Sequence, residues 1–385
     1  MGLHQLDAEK ILRSSASEAG LVQYIDEGIR ARFSYVINLL NEFGSLTDEE
    51  YPPALHQLKS MVKQRLLVAR DWALHPEILD EEITQPFFVI GNARAGTTFT
   101  QMLLTWDEGH RTPLYRDVRH PSPPRGLDPA ADAAALEEEN NYVRSMVERS
   151  PQMMSAHPYL DQGGNGEAED EDVYSLDFNM VYPLQLLNVA TMPQALVPPD
   201  PLQALKFHKN MLKQFQWKTP TRRWVGKGVL HQYVIPTLLQ VYPDAVCFWT
   251  HRAPEEFIAS LLALLEIQYK PFNGGRYSVQ PQEMAEQLKA GIDYFLKSEA
   301  TYDSRIHHIR FRDLVKDPIA VIAPIYEKAG IPFTKKYEQT LRDRLASSDY
   351  RANRYGKFDY TLEKYGLNRE VLRKQFSEYC DRFEL

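Results

Sequence analysis

The sequence predicts an α/β fold: a mainly parallel central sheet flanked by helices, with a helical N-terminal extension and helical insertions. Three observations carry that expectation. Short apolar runs, "PFFVIG" (86–91), "RWVGK" (223–227), "AVCFWT" (245–250) and "RIHHIRF" (305–311), read as strands. Helical patterns separate them, the alternation that builds a parallel sheet covered on both faces. Each run also ends at, or just before, a cation: Arg94, Lys227, Arg252 and Arg312. Ligands of open parallel sheets bind beyond that edge. Arg312 adjoins Asp313 and is expected to pair with it, so it stays outside the predicted site.

Taken in order, residues 1–80 form the extension, expected to pack on the same domain as the rest. "LVQYIDEGIRARFSYVINLL" has apolar residues at mixed three- and four-residue spacing, and "ALHQLKSMVKQRLLVARDWAL" repeats the pattern after Pro52-Pro53. Residues 81–385 form the main domain, interrupted by an insertion at 108–217. That insertion opens with the Pro- and Arg-rich "YRDVRHPSPPRG" and continues largely helical. Its aromatic stretch "VYSLDFNMVYPLQLLNVATMPQ" is ordinary core in one reading and the wall of an apolar acceptor pocket in the other. Trp106 and Trp224 read as core.

Bulk properties narrow the function. The net charge of -8 argues against a general nucleic-acid binder, so an anionic ligand has to be met by locally placed cations. Cys247 and Cys380 lie far apart and read as free thiols, and no Cys/His cluster has metal-ligand spacing. The N-terminus lacks a signal-peptide core, and Leu6 occupies the position where a myristoylation signal has Ser or Thr. No apolar run is long enough for a membrane helix. A cytoplasmic protein without stable membrane insertion is expected.

The chemistry concentrates in two stretches. "GNARAGTTF" has the G-x-x-x-x-G spacing of a phosphate-cradling loop between a strand and a helix, but Thr97 and Thr98 follow Gly96 where nucleoside triphosphatases have lysine. Backbone N–H groups and the positive helix end suit an anion there, and Arg94 supplies a cation within the loop. The bland alternative is a turn needing glycine for steric reasons. "THRAPEEFIASLLAL" places Arg252 at a strand end and Ser260 eight residues on. Both converge on a second phosphate, or Ser260 merely bonds a helical carbonyl.

Together these stretches resemble the sulfotransferases that use 3′-phosphoadenosine 5′-phosphosulfate (PAPS). "RWVGKGVLHQYVIPTLLQVYPDAVCFWTHR", "FRDLVKDPIAVIAPIYEKAGIPFT" and "YRANRYGKFDYTLEKYGL" extend the likeness, which is nearest to the bacterial branch and its P-loop-like fold. The resemblance implies that Arg94, Ala95, Gly96, Thr97 and Thr98 hold the 5′ end of PAPS, or of its product PAP (3′-phosphoadenosine 5′-phosphate). It implies that Arg252 and Ser260 hold the 3′-phosphate, and that one or more of Arg351, Arg354 and Lys357 close over it. No metal is implied. The catalytic set expected is Arg94 and Lys227 for developing charge, with Asp117 as first and His231 as second general base; Glu167, Glu169 or Glu171 is a third candidate, though such an acidic run reads more readily as a solvated helix entrance. The acceptor is expected to be a small, lipophilic alcohol or phenol. The N-terminal helices either cover its pocket or form a homodimer contact. Competing readings are a P-loop kinase-like phosphotransferase and a non-catalytic nucleotide-binding protein.

Overall fold

The computed structural model describes residues 4–43, 46–180, 198–220, 222–271 and 280–385. Its centre is a five-stranded sheet of β1 (Phe87–Gly91), β2 (His110–Arg111), β3 (Arg223–Gly228), β4 (Val246–His251) and β5 (Ile306–Arg310) in the order β2-β3-β1-β4-β5. Every pairing is parallel. Four of these strands are the apolar runs of the sequence. The fifth, β2, is two residues long and too short to carry a periodic signal.

β1 lies between β3 and β4; the connection leaving β1 runs to one side, to β2, while the one leaving β3 crosses to β4 on the other, which opens a crevice at the carboxyl end of β1. The register brings three strand ends level there: Ile90 stands beside Gly228, and Gly91 beside Thr250. Alternation along β1 splits the core. Phe88 and Ile90 face one cluster with Cys247, Trp249 and Trp224, while Phe87 and Val89 face another with Phe248, Leu103 and Tyr326. Both thiols are free and buried, and Trp106 and Trp224 are buried too.

The helices Ala8–Ala19, Glu27–Phe43 and Tyr51–Leu74 build a separate apolar cluster around Phe33, Ile37, Leu58 and Leu66. Pro52 and Pro53 do not break a helix. They occupy the first turn of the third, where a missing N–H costs nothing. Phe178 of the main body enters this cluster, and beside it Asp177 accepts bonds from Arg32 and Arg65. Among the described residues no helix is long and apolar enough to cross a membrane.

The aromatic stretch of the insertion is core where it can be seen. Val173, Tyr174, Leu176 and Met180 join the cluster under the sheet. The rest of that stretch, 181–194, lies outside the described residues.

Candidate active site

The loop after β1 is shaped by two glycines that no other residue can replace without movement. Gly91 has φ 147°, and a Cβ there would fall 2.6 Å from the Thr250 carbonyl oxygen. Gly96 has φ 95°, and a Cβ would fall 2.4 Å from the Phe311 ring. Between them Arg94 takes a left-handed φ of 69°, which turns its side chain out of the β1 direction. The Ala95 N–H closes the turn on the Asn92 carbonyl at 3.0 Å. The helix Thr97–Thr105 then starts with no side-chain cap, so its leading amides and its positive end are available to an anion.

Three cations gather at this point. Lys227, near the end of β3, is buried, donates to the Glu169 carboxylate and lies 3.4 Å from Thr98 Oγ1. Arg94 donates through Nε to Ser260 Oγ at 2.9 Å and to the Ala156 carbonyl at 3.2 Å. Burial, with Arg252 nearby, pulls the Arg94 pKa down to about 10, which leaves it charged at neutral pH. Arg252 donates to the Arg94 carbonyl at 3.0 Å, to Tyr360 OH at 3.2 Å and to Glu256 at 2.9 Å. Its guanidinium also lies 4.6 Å from the centre of the Phe311 ring. The two stretches singled out in the sequence therefore touch.

A cleft of about 600 Å³ opens over these groups. Arg94, Gly96, Thr97, Thr98, Lys227 and Arg252 line one part of it, with Phe358 and Tyr360 across. Met146, Met153, Leu160, Tyr233, Leu264 and Leu288 give the other part an apolar wall. These residues come from segments flanking the aromatic stretch, not from its described part.

Several expected site residues stand elsewhere. Asp117 is buried outside the cleft lining. It accepts from Arg125 Nε at 2.7 Å and caps the Leu114 N–H. His231 is fully buried beneath β1, with Nε2 2.7 Å from Asp170, and does not line the cleft. Asp170 also meets His208 at 3.1 Å, and bonding to the two imidazoles holds its pKa down against the upward push of burial. Ser260 is buried behind the lining and supports Arg94 instead of facing the cleft with Arg252. Ala95 is wholly buried. Arg354 is turned onto Asp161, at 3.0 and 2.8 Å, and onto the Pro158 carbonyl. Arg351 is exposed, and Lys357 lies on the rim, paired with Asp359. Arg312 is exposed, and the partner of Asp313 is Arg310 instead.

The acidic run is not a solvated entrance. Glu167 and Glu169 line the cleft and Glu171 is buried beneath it. Burial pushes the Glu167 carboxyl up to about 7, opposed by its bond from Thr105 and by Lys227. Burial likewise pushes Asp172 up to about 6. Phe311 and His157 are among the cleft residues that the sequence reading missed. Phe311 sits at the end of β5, one residue before the Arg312 that strand-end reasoning picked out. His157, in "SAHPYL", has no motif spacing to mark it.

Known proteins resemble this chain in sequence and in fold. A profile of the Sulfotransferase family matches residues 86–335. Two relatives, from Mycobacterium bovis and Mycobacterium tuberculosis, are both named omega-hydroxy-beta-dihydromenaquinone-9 sulfotransferase Stf3. Each is 24% identical over 316 residues, 77% of this chain and 74% of its own length. The crystal structure of sulfotransferase STF9 from Mycobacterium avium matches with a TM-score of 0.82 at 26% identity, covering 98% of this chain and 97% of that one. Sulfotransferase STF1 from Mycobacterium tuberculosis H37Rv has the same fold, with a TM-score of 0.75, 22% identity and coverage of 97% and 99%.

Proposed function

This chain belongs to the sulfotransferase family, and from that premise we propose that it transfers the sulfuryl group of PAPS to a hydroxyl of a lipophilic alcohol or phenol. The observation that carries the reading is the set of three cations, Arg94, Lys227 and Arg252, around one uncapped helix start, opening onto a cleft with an apolar wall. Such a donor set fits a nucleotide with anionic groups at two positions. The two glycines let the loop pack directly against Thr250 and Phe311, which fixes the turn whose backbone N–H groups would face the phosphate.

In this reading the loop amides, Thr97, Thr98 and Lys227 hold the 5′ end, and Arg252 holds the 3′-phosphate. Arg94 bridges the two, oriented by Ser260. Lys357 closes the rim. Negative charge grows on the leaving 5′-phosphate oxygens as the sulfuryl group departs. The loop amides and Lys227 are already in place to stabilise it, so little reorganisation is needed. With PAPS bound, Lys227 exchanges part of its interaction with Glu169 for the ligand. The apolar wall excludes water from the acceptor side and favours an alkyl or aryl alcohol. The Stf3 relatives, whose name specifies a hydroxylated menaquinone, make a lipid hydroxyl the leading acceptor class.

Calorimetry and a transfer assay test this. PAP is expected to bind without metal and more tightly than ATP with Mg²⁺, and labelled sulfuryl transfer is expected to improve with alkyl chain length across a series of alcohols. Tighter binding of ATP with Mg²⁺ would point to a phosphotransferase. Preference for simple sugars would overturn the acceptor assignment.

A further inference from the structure

Sulfuryl transfer leaves a proton to be placed, and the two bases favoured from sequence, Asp117 and His231, are both outside the cleft lining. His157 lines the cleft, follows the 153–156 helix and precedes Pro158. Its ring makes no hydrogen bond among the described residues. Its backbone is fixed on both sides: the His157 N–H donates to the Met153 carbonyl at 2.7 Å, and Arg94 donates to the adjacent Ala156 carbonyl. The ring is half-buried in the cleft wall, and with no hydrogen-bond partner among the described residues it is open to a hydroxyl bound in the cleft.

Desolvation in the cleft wall holds the imidazole well below its ordinary pKa, and two fixed charges, Arg94 from the loop and Lys227 from β3, push it the same way. The other titratable groups of that part of the cleft are already engaged or lack charge. Glu169 is bonded to Lys227, Glu167 to Thr105, and Tyr159 is a phenol whose pKa burial raises. The charges that face His157 are thus the same ones that would receive the donor.

We propose that His157 is the general base for the acceptor hydroxyl, and that the anionic donor switches it on by neutralising Arg94 and Lys227. This rests on the PAPS reading above. Before the donor arrives, two cations oppose a proton on the ring. Once phosphate and sulfonate oxygens lie against them, that opposition falls and the imidazole becomes basic enough to work near neutral pH. The acceptor oxygen then forms its bond to sulfur as the bond from sulfur to the 5′-phosphate oxygen breaks. The hydroxyl proton passes to the unprotonated ring nitrogen, and PAP leaves as the anion. The device couples proton removal to donor occupancy, so an acceptor alone meets an inert imidazole.

A nitrogen-detected titration of the His157 ring in the wild-type protein, with and without PAP, reads the switch directly and needs no acceptor. PAP is expected to raise the midpoint by about one unit or more. An unmoved midpoint while PAP is bound overturns the switch. His157→Gln is expected to cut turnover with the best alcohol of the series about 10²-fold or more and to leave PAP affinity unchanged. Added imidazole is expected to restore part of the activity of His157→Gly, which a purely structural role would not allow. Full activity of His157→Gln overturns the base assignment. Failure of PAP to bind the wild type defeats the earlier reading instead, so the two failures are distinguishable.

Discussion

Arginine appears in two settings in this molecule, and its partners separate them. At the junction between the N-terminal helices and the main body, Arg32 and Arg65 converge on Asp177, whose side chain is fully buried. Gln203 adds a bond to the second carboxylate oxygen at 2.6 Å. At the sheet edge, Arg94 meets a hydroxyl and a carbonyl. Arg252 meets a carbonyl, a phenol and the half-exposed Glu256. The first pair shares a buried carboxylate inside the fold and locks two cores together. The second pair is positioned mainly by neutral oxygens, which orient a guanidinium without cancelling its charge. A cation held this way is ready for an anion that the chain itself does not supply.

The contrast can be broken most forcefully at Asp177. Asp177→Ala strands two arginines without their carboxylate and is expected to cost about 3–5 kcal/mol in urea unfolding. Early proteolysis within the N-terminal helices is expected to accompany that loss. Unchanged stability would show that the junction does not depend on this anion. The complementary change, Arg252→Ala, is expected to weaken PAP binding about 10²-fold, the scale of a lost charge-assisted hydrogen bond, with little change in the urea midpoint. Adenosine 5′-phosphosulfate, which lacks the 3′-phosphate, should lose much less. Equal losses for both nucleotides would place Arg252 at the wrong end.

Glu167 sharpens the comparison from the acid side, as a cleft carboxyl with no arginine of its own. Its pKa is raised to about 7 in the folded protein, so the native state keeps a proton that the unfolded chain has already released. The stability it contributes is full below the unfolded carboxyl pKa and disappears as pH rises through 7. Glu167→Gln is expected to remove up to about 2–3 kcal/mol of that decline, measured as urea stability against pH. A wild-type profile that is flat from acid to neutral pH would contradict the raised value.

Much of the scaffold was legible because its signals are local. The runs at β1, β3, β4 and β5 are apolar in consecutive residues, and a cation stands at or near the end of each. The glycine turn announces itself through spacing, and Gly91 and Gly96 prove sterically necessary. The hydrogen-bond partners of the candidate site residues were not legible, because those partners are distant in the chain. Asp117 and His231 were favoured by their closeness to motifs, yet Arg125 and Asp170 engage them. Ser260 has the expected spacing from Arg252 but the wrong partner, since the left-handed Arg94 reaches it first. His157 belongs to no motif and gains meaning only where Arg94 and Lys227 flank it.

The ring of Phe311 presses on Gly96 from one side and lies under the Arg252 guanidinium on the other. One aromatic plate thus serves as a common wall for both grips of the proposed nucleotide site. A side chain added at position 96 would tilt that plate and carry the distant guanidinium with it, so neither grip is free to drift alone. Retuning this enzyme for another donor would require concerted change at three positions far apart in sequence.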